Sequence, residues 1–321
     1  MDDMLKIVDL YTHFHTHEGI VQALNGVNLG MSQRESVGLV GETGCGKSVT
    51  ALSILRLIPS TNTMVKGHIH FRGEDLLEKS EKEMRRIRGK AISMIFQDPM
   101  SSLNPVFKVG SQISGLLMLH RGLEKKEAFD EAVEMIRRVR IPDPEKVARQ
   151  YPFELSGGMR QRVMIAMAIS CNPDLLIADE PTTFLDVSVQ AQTLKLMKEI
   201  RERIGASMLL ITHDLGVAAQ ACDRMAVMYA GAIVEEAPVK ELFKNPLHPY
   251  TQGLLECIPK LDEVKTRLAV VGGMVPSLID PPSGCMFNPR CPFAWSKCGE
   301  NIPTETDVGG RHLVKCFKFG R

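Results

Sequence analysis

The spacing of apolar and polar positions divides the chain into segments of different period. The first 40 residues read as strands and turns: "LKIVDLYTHF" and "SVGLVG" are short β-rich runs, with "ALNGVNLGM" between them. "GKSVTALSILRLI" has helical periodicity, and Pro59 is expected to stop it. "KGHIHFRGEDL" returns to strand and turn, and "ISMIFQD" is a strand ending at Pro99. From about 100 to 150 the segments "VGSQISGLLMLHRG", "KKEAFDEAVEMIRRV" and "DPEKVARQYP" are helical, an insert that ends at Pro152. Strands and helices then alternate: helix "SGGMRQRVMIAMAISCNP", buried strand "LLIADEP", amphipathic helix "SVQAQTLKLMKEIRERIG", buried strand "SMLLITHD", helix "LGVAAQACD" and strand "RMAVMYAG". This alternation predicts an α/β fold with a mostly parallel sheet flanked by helices. After about residue 236 the pattern breaks into a short helical stretch with prolines. Beyond 265 the chain is rich in Pro, Gly and Cys.

Composition narrows the picture. A length of 321 residues allows one large domain plus a smaller one. The 39 basic and 38 acidic side chains nearly cancel, which argues against a dedicated nucleic-acid surface. No apolar run is long enough to span a bilayer, and the opening "MDDMLKIVDLYTHF" lacks the features of a signal peptide. A cytoplasmic location is therefore expected. In a reducing compartment eight cysteines do not imply a disulfide scaffold. Cys45, Cys171, Cys222 and Cys257 are scattered and read mostly as small buried hydrophobes. The other four lie in the last 37 residues.

Chemistry concentrates in three stretches. "GETGCGKS", residues 41–48, matches G-x-x-x-x-G-K-[ST] between an apolar strand and a helix. Gly41, Gly44 and Gly46 let the backbone wrap phosphates, and the helix behind them adds its positive end. Lys47 is expected at the β- and γ-phosphates and Ser48 on Mg²⁺. Cys45 and Val49 complete the nucleotide-binding positions of this loop and helix. "LLIADE" supplies Asp179 for Mg²⁺ and Glu180 as a base that polarises the attacking water. "LSGGMRQR" opens a second glycine mouth on a helix, where Ser156, Gly157 and Gly158 can offer a hydroxyl and N–H groups to a phosphate. One nucleotide needs one phosphate loop, so this second anion site implies a phosphate shared across a dimer interface.

Along the chain the order is the glycine loop at 41–48, "FQD" with Gln97, "LSGGM" at 155–159, "LLIADEP" at 175–181, "LD" at 185–186 and "THD" with His213, and in that order the motifs resemble those of the ATP-binding subunits of ABC transporters. The likeness covers residues 4 to about 236. "FQDPMSSLNP", "DEPTTFLDVSVQAQ", "HPYTQGLL" and the cysteine tail extend it, over the whole chain, to the oligopeptide and dipeptide importers and their nickel-importing relatives. The resemblance implies a P-loop NTPase of the ABC ATPase type with a helical subdomain and a small cysteine-rich C-terminal domain. It implies an ATPase core over 1–98 and 151–236, a helical subdomain over 99–150, and a C-terminal extension over 237–321. The implied function is ATP hydrolysis driving import of di- and oligopeptides. Nickel or another solute is the alternative, and a soluble ABC ATPase acting on nucleic acid or ribosomes is a further one. The implied partners are a second ABC ATPase, two membrane permease subunits and, indirectly, an extracytoplasmic binding protein, at the cytoplasmic face of the inner membrane.

The motif match assigns Gln97 to the γ-phosphate and Mg²⁺ edge, His213 to the γ-phosphate and attacking water, and Asp186 to the bridge between two subunits. Family spacing points to Phe14 as the adenine platform, with Tyr11 if the register slips. The family usually has alanine where this chain has Phe184, a bulky ring beside the interface loop. His13, His15 and His17 alternate on one strand face, a pattern that suggests metal but fits a solvated strand end better. A groove between the helical insert and the Gln97 loop fits a short helix of a membrane subunit. "MSSLNP", 100–105, lies where the family makes that contact, although ordinary packing accounts for its Met and Leu equally well.

The tail reads C-x5-C-x6-C-x17-C. So core-poor a segment needs a staple, and four thiolates suggest a metal or cluster. Sulfur ligation alone admits zinc or iron–sulfur. By resemblance, a 4Fe-4S (four-iron four-sulfur) cluster is expected on Cys285, Cys291, Cys298 and Cys316, with zinc as the lesser alternative.

Overall fold

The computed structural model describes residues 3–59, 61–183, 185–258 and 272–320. Phe184 lies outside them. Strands β1 (Leu5–Thr16) and β2 (Gly19–Met31) form a long antiparallel hairpin. They are followed by β3 (Ser36–Val40), helix α1 (Lys47–Ile54), β4 (Thr63–Phe71) and β5 (Glu74–Asp75). The chain continues through α2 (Glu81–Ile87), β6 (Ile92–Ile95), α3 (Pro99–Ser102), α4 (Val109–Arg121), α5 (Lys125–Arg138) and α6 (Pro144–Ala148). Then come α7 (Gly157–Ile169), β7 (Leu175–Asp179), α8 (Val187–Ile204), β8 (Ser207–Thr212), α9 (Leu215–Ala221) and β9 (Arg224–Tyr229). The C-terminal part holds β10 (Ala232–Pro238), α10 (Val239–Lys244), α11 (Pro249–Glu256), α12 (Ser296–Glu300), β11 (Thr306–Asp307) and β12 (Leu313–Val314).

These elements gather into two compact units. The first comprises Met1–Met31, Val37–Leu77 and Thr212–Arg321. It contains an antiparallel sheet in the order β2-β1-β4-β5. It also contains the run β11-β12-β10-β9-β3, in which β3 and β9 are parallel and the other neighbours antiparallel. Every residue of β3 is buried, which is why its sequence "SVGLV" shows no alternation. Helix α1 stops well before Pro59. Arg56 takes φ 50°, the Leu57 N–H bonds the Leu52 carbonyl and the Arg56 N–H bonds Ser53, a left-handed helix end that needs no proline.

The second unit comprises Ser32–Ser36 and Glu78–Ile211. Its strands β8, β7 and β6 run parallel, and β7 is buried along its whole length. The expected helical insert is present as α3 to α6. Buried Val109, Ile113 and Leu117 recur at helical spacing on α4, and Ala128, Ala132 and Ile136 do so on α5.

The cysteine tail does not stand apart as a domain of its own, which corrects that part of the expected fold: it is built into the unit that holds β3. Strand β12 adds an edge to β10. His312 Nε2 lies 2.7 Å from Glu235 Oε1, with both side chains buried. Glu235 also accepts the N–H groups of Leu247 and His248. Phe287, 2% exposed, packs among the rings of Tyr229, Tyr250 and His248. The tail thus has apolar and hydrogen-bonded anchors that its composition conceals.

Candidate functional site

The phosphate loop follows β3 in the first unit, and its own packing dictates two of its glycines. Gly41 has φ 154° and a Cβ there would meet the Met228 carbonyl at 2.2 Å; Gly46 has φ 104° and a Cβ would meet the Ala23 carbonyl at 2.7 Å. No side chain fits either position. Around Gly44 the space is open. Lys47 is buried, and its Nζ donates to the carbonyls of Gly41 at 2.7 Å and Glu42 at 2.9 Å. Cys45 is fully buried beneath the loop, and burial pushes its thiol pKa up. Ser48 and Val49 begin α1, half-buried.

Phe14, its alternative Tyr11, and His213 also belong to this unit. Phe14 is half-buried on β1, paired with Val21 and Thr63. Thr12, two positions earlier, approaches Ser53 of α1 with the hydroxyl oxygens 3.3 Å apart, so this stretch of β1 adjoins the helix behind the phosphate loop. Tyr11 is 39% exposed, with its hydroxyl beside Gly26. His213 is exposed just after β8. Its neighbours shape the turn: the Asp214 N–H bonds Thr212 Oγ1, and Asp214 Oδ1 accepts the N–H groups of Gly216 and Val217.

The remaining candidates belong to the second unit. Asp179 ends β7 and is 6% exposed. Glu180 follows with φ 44°, a left-handed conformation unfavourable for a residue with a side chain, held by its N–H on the Ile211 carbonyl. Gln97 Nε2 donates to Glu180 Oε2 at 3.2 Å, and Thr183 Oγ1 donates to the same oxygen at 2.9 Å. The structure therefore joins Gln97 to Glu180 directly, across 83 positions of sequence. Thr183 escaped the sequence reading; its signal was only its place three residues after the acidic pair. Ser156 caps α7 by accepting the Met159 N–H, and a Cβ on Gly157 would meet nothing within 4 Å. Asp186 stands at the N-cap of α8 yet makes no side-chain cap bond. Gln97, Met100, Gly157, Arg160, Pro181 and Leu185 are among the residues lining a cavity of 390 Å³.

The 4Fe-4S cluster, and zinc as its alternative, must be corrected. Among the described residues the group of His, Cys, Asp or Glu side chains with ligand atoms all within 4.8 Å of one another is His68, His70 and Asp75. The cysteines form no such group. Cys285, Cys291, Cys298 and Cys316 do border one small cavity of 20 Å³, but Phe287, Phe293, Trp295 and Phe317 border it too. Burial favours the neutral thiol: it pushes Cys285 up to about 11 and raises Cys291 and Cys316, and the neighbouring cysteines add to the shift. The histidines 13, 15 and 17 form no such group either.

A model of the ABC transporter family matches residues 24–183, and one of the oligopeptide/dipeptide transporter C-terminal region matches residues 234–298. The probable peptide ABC transporter ATP-binding protein y4tR of Sinorhizobium fredii is 51% identical over 319 residues, 99% of this chain and 95% of that protein. The chain belongs to the peptide ABC transporter ATP-binding proteins. Another relative, the dipeptide transport ATP-binding protein DppD of Bacillus subtilis, is 48% identical over 318 residues, 99% of this chain and 95% of that protein. Among solved structures, the dimeric post-hydrolysis state of the ATP-binding cassette MJ0796 bound to ADP and Pi matches with a TM-score of 0.66 at 28% identity. It covers 74% of this chain and 99% of that one. As a member of this family the chain is an ATP-hydrolysing enzyme.

Proposed function

We propose that this chain hydrolyses ATP to drive uptake of di- and oligopeptides, as a nucleotide-binding subunit paired with a second ATPase beneath two membrane permease subunits. The observation that carries this is the 51% identity to a peptide transporter ATP-binding protein, running through the C-terminal region as well as the ATPase motifs. Neither the nickel nor the nucleic-acid alternative gains support from these relatives. Among the described residues no helix is long and apolar enough to cross a membrane, which fits a peripheral subunit at the cytoplasmic face. An extracytoplasmic binding protein would deliver the peptide. Function divides the chain into an ATPase core (1–98 and 151–236), a helical part that meets the permeases (99–150), and a C-terminal extension (237–321).

In this reading the phosphate loop N–H groups and Lys47 hold the nucleotide phosphates, with Phe14 against adenine. Ser48, Gln97 and Asp179 are the residues that would hold Mg²⁺, which would supply charge neutralisation to the phosphates. Glu180 takes the proton of the attacking water, while Gln97 and Thr183, both bonded to its carboxylate, set its orientation. His213 steadies the γ-phosphate side. Gly157 is not demanded by this chain's own packing, which fits a phosphate approaching from a partner's loop. Asp186 leaves its own helix uncapped by its side chain, which fits a role at the partner interface. Closure on ATP and opening after hydrolysis would be the mechanical output. The cavity beside Gln97, with Met100 59% and Phe107 56% exposed nearby in sequence, is the proposed seat for a permease segment.

The test is uptake of labelled di- and oligopeptides by cells lacking this chain, complemented with the wild type or with Lys47→Ala. Wild type should restore uptake and K47A should not. Restored nickel uptake without peptide uptake would overturn the substrate assignment.

A further inference from the structure

Glu42 is a variable position of the phosphate loop motif, and its charge is an oddity. A carboxylate in a loop built to receive phosphates repels its ligand unless something neutralises it and turns it away. The structure supplies that partner from the far end of the chain. Arg290 grips the Glu42 carboxylate with both arms of its guanidinium, Nη1 to Oε2 at 2.7 Å and Nη2 to Oε1 at 3.0 Å.

The arginine has little freedom. Its side chain is 4% exposed, its Nε donates to the Gly272 carbonyl at 2.8 Å, and its guanidinium lies 5.6 Å from the Tyr229 ring centre and 5.9 Å from that of Phe287. A second C-terminal residue holds the backbone of the same glutamate: the Glu42 N–H donates to Tyr250 Oη at 2.9 Å, and Tyr250 is fully buried. The Glu42 carbonyl in turn accepts from Lys47 Nζ at 2.9 Å. Glu42 is thus held at its side chain and N–H by the C-terminal region, and its carbonyl meets the loop lysine.

We propose that Arg290 is a positioning residue for the phosphate loop: by neutralising and orienting Glu42 it sets the loop's affinity for nucleotide, so that the C-terminal segment tunes the ATP site. The proposal rests on the ATPase reading. It distinguishes itself from a simple pin for the tail, which would govern stability alone. Loss of Arg290 leaves an uncompensated carboxylate beside the phosphates, and removing that charge as well should relieve the repulsion.

The experiment measures MgATP dissociation constants on the full-length chain by calorimetry, and KM and kcat for hydrolysis. Melting curves verify that each variant is folded. Arg290→Ala should raise Kd and KM about 10-fold and change kcat less than about 3-fold, since the loop's contacts hold the substrate before the chemical step. Arg290→Lys, which keeps the charge without the fork, should raise Kd about 3-fold. Glu42→Gln combined with Arg290→Ala should bind within about 3-fold of wild type, better than R290A alone. If R290A does not fold, R290K with and without E42Q gives the same comparison. Unchanged Kd with a lowered melting temperature would make Arg290 a pin and overturn the proposal, as would a double variant binding no better than the single. A wild-type chain that fails to bind MgATP would overturn the ATPase reading itself.

Discussion

Glu180 is held in a left-handed backbone conformation, φ 44°, that costs on the order of 1–3 kcal/mol for a residue with a side chain. Its neighbours keep it there, and two donors converge on one carboxylate oxygen. Glu180→Gln removes the base and should lower ATP turnover by roughly 100-fold or more while nucleotide stays bound; turnover within a few-fold of wild type would remove that role. His248 gives a prediction of a different kind. It is buried, and burial lowers its pKa from 6.5 to about 3, while its Nδ1 accepts the Tyr250 N–H. The folded chain thus binds fewer protons at this site than the unfolded one, so stability present above about 6.5 is lost as pH falls toward about 3. The melting temperature of the wild type should fall more between pH 7 and pH 5 than that of His248→Asn; equal slopes would contradict this. At this scale the motif positions could be proposed from the sequence because phosphate chemistry fixes residue type and spacing together. The Glu42–Arg290 pair was not, because its members stand 248 positions apart and nothing local joins them.

Strands and helices were largely legible as elements, since period and burial agree along β7, α4 and α5. The end of α1 was not, because a left-handed arginine closes it where the sequence offered only a distant proline. The tail was misjudged for a related reason. Composition counts apolar residues without showing that Phe287 reaches the rings of Tyr229 and Tyr250, or that His312 reaches Glu235. Phe287→Ala should destabilise the chain by about 3–5 kcal/mol, read from the midpoint of denaturant unfolding. A loss below about 1 kcal/mol would show that the cluster is not the anchor. The segment around α3 carries the other test. Phe107→Asp should leave ATP affinity unchanged yet weaken assembly with the permeases by roughly 30-fold, the loss of about 2 kcal/mol expected for an interface anchor. Undiminished assembly would move the contact elsewhere.

The whole molecule joins ATPase motifs to a C-terminal region of the peptide-transporter type, and the second feature narrows an otherwise general ATPase to one class of transporter. The transported solute itself left few marks on the sequence, since a nucleotide-binding subunit acts through other chains rather than on the solute. The most direct test is ATP hydrolysis by the assembled transporter in membrane vesicles, with and without a di- or oligopeptide, carrying either the wild-type chain or Glu180→Gln. With the extracytoplasmic binding protein present, peptide should raise hydrolysis several-fold with the wild type, and E180Q should abolish the increase. Hydrolysis that ignores peptides, or a peptide response that survives E180Q, would contradict the account.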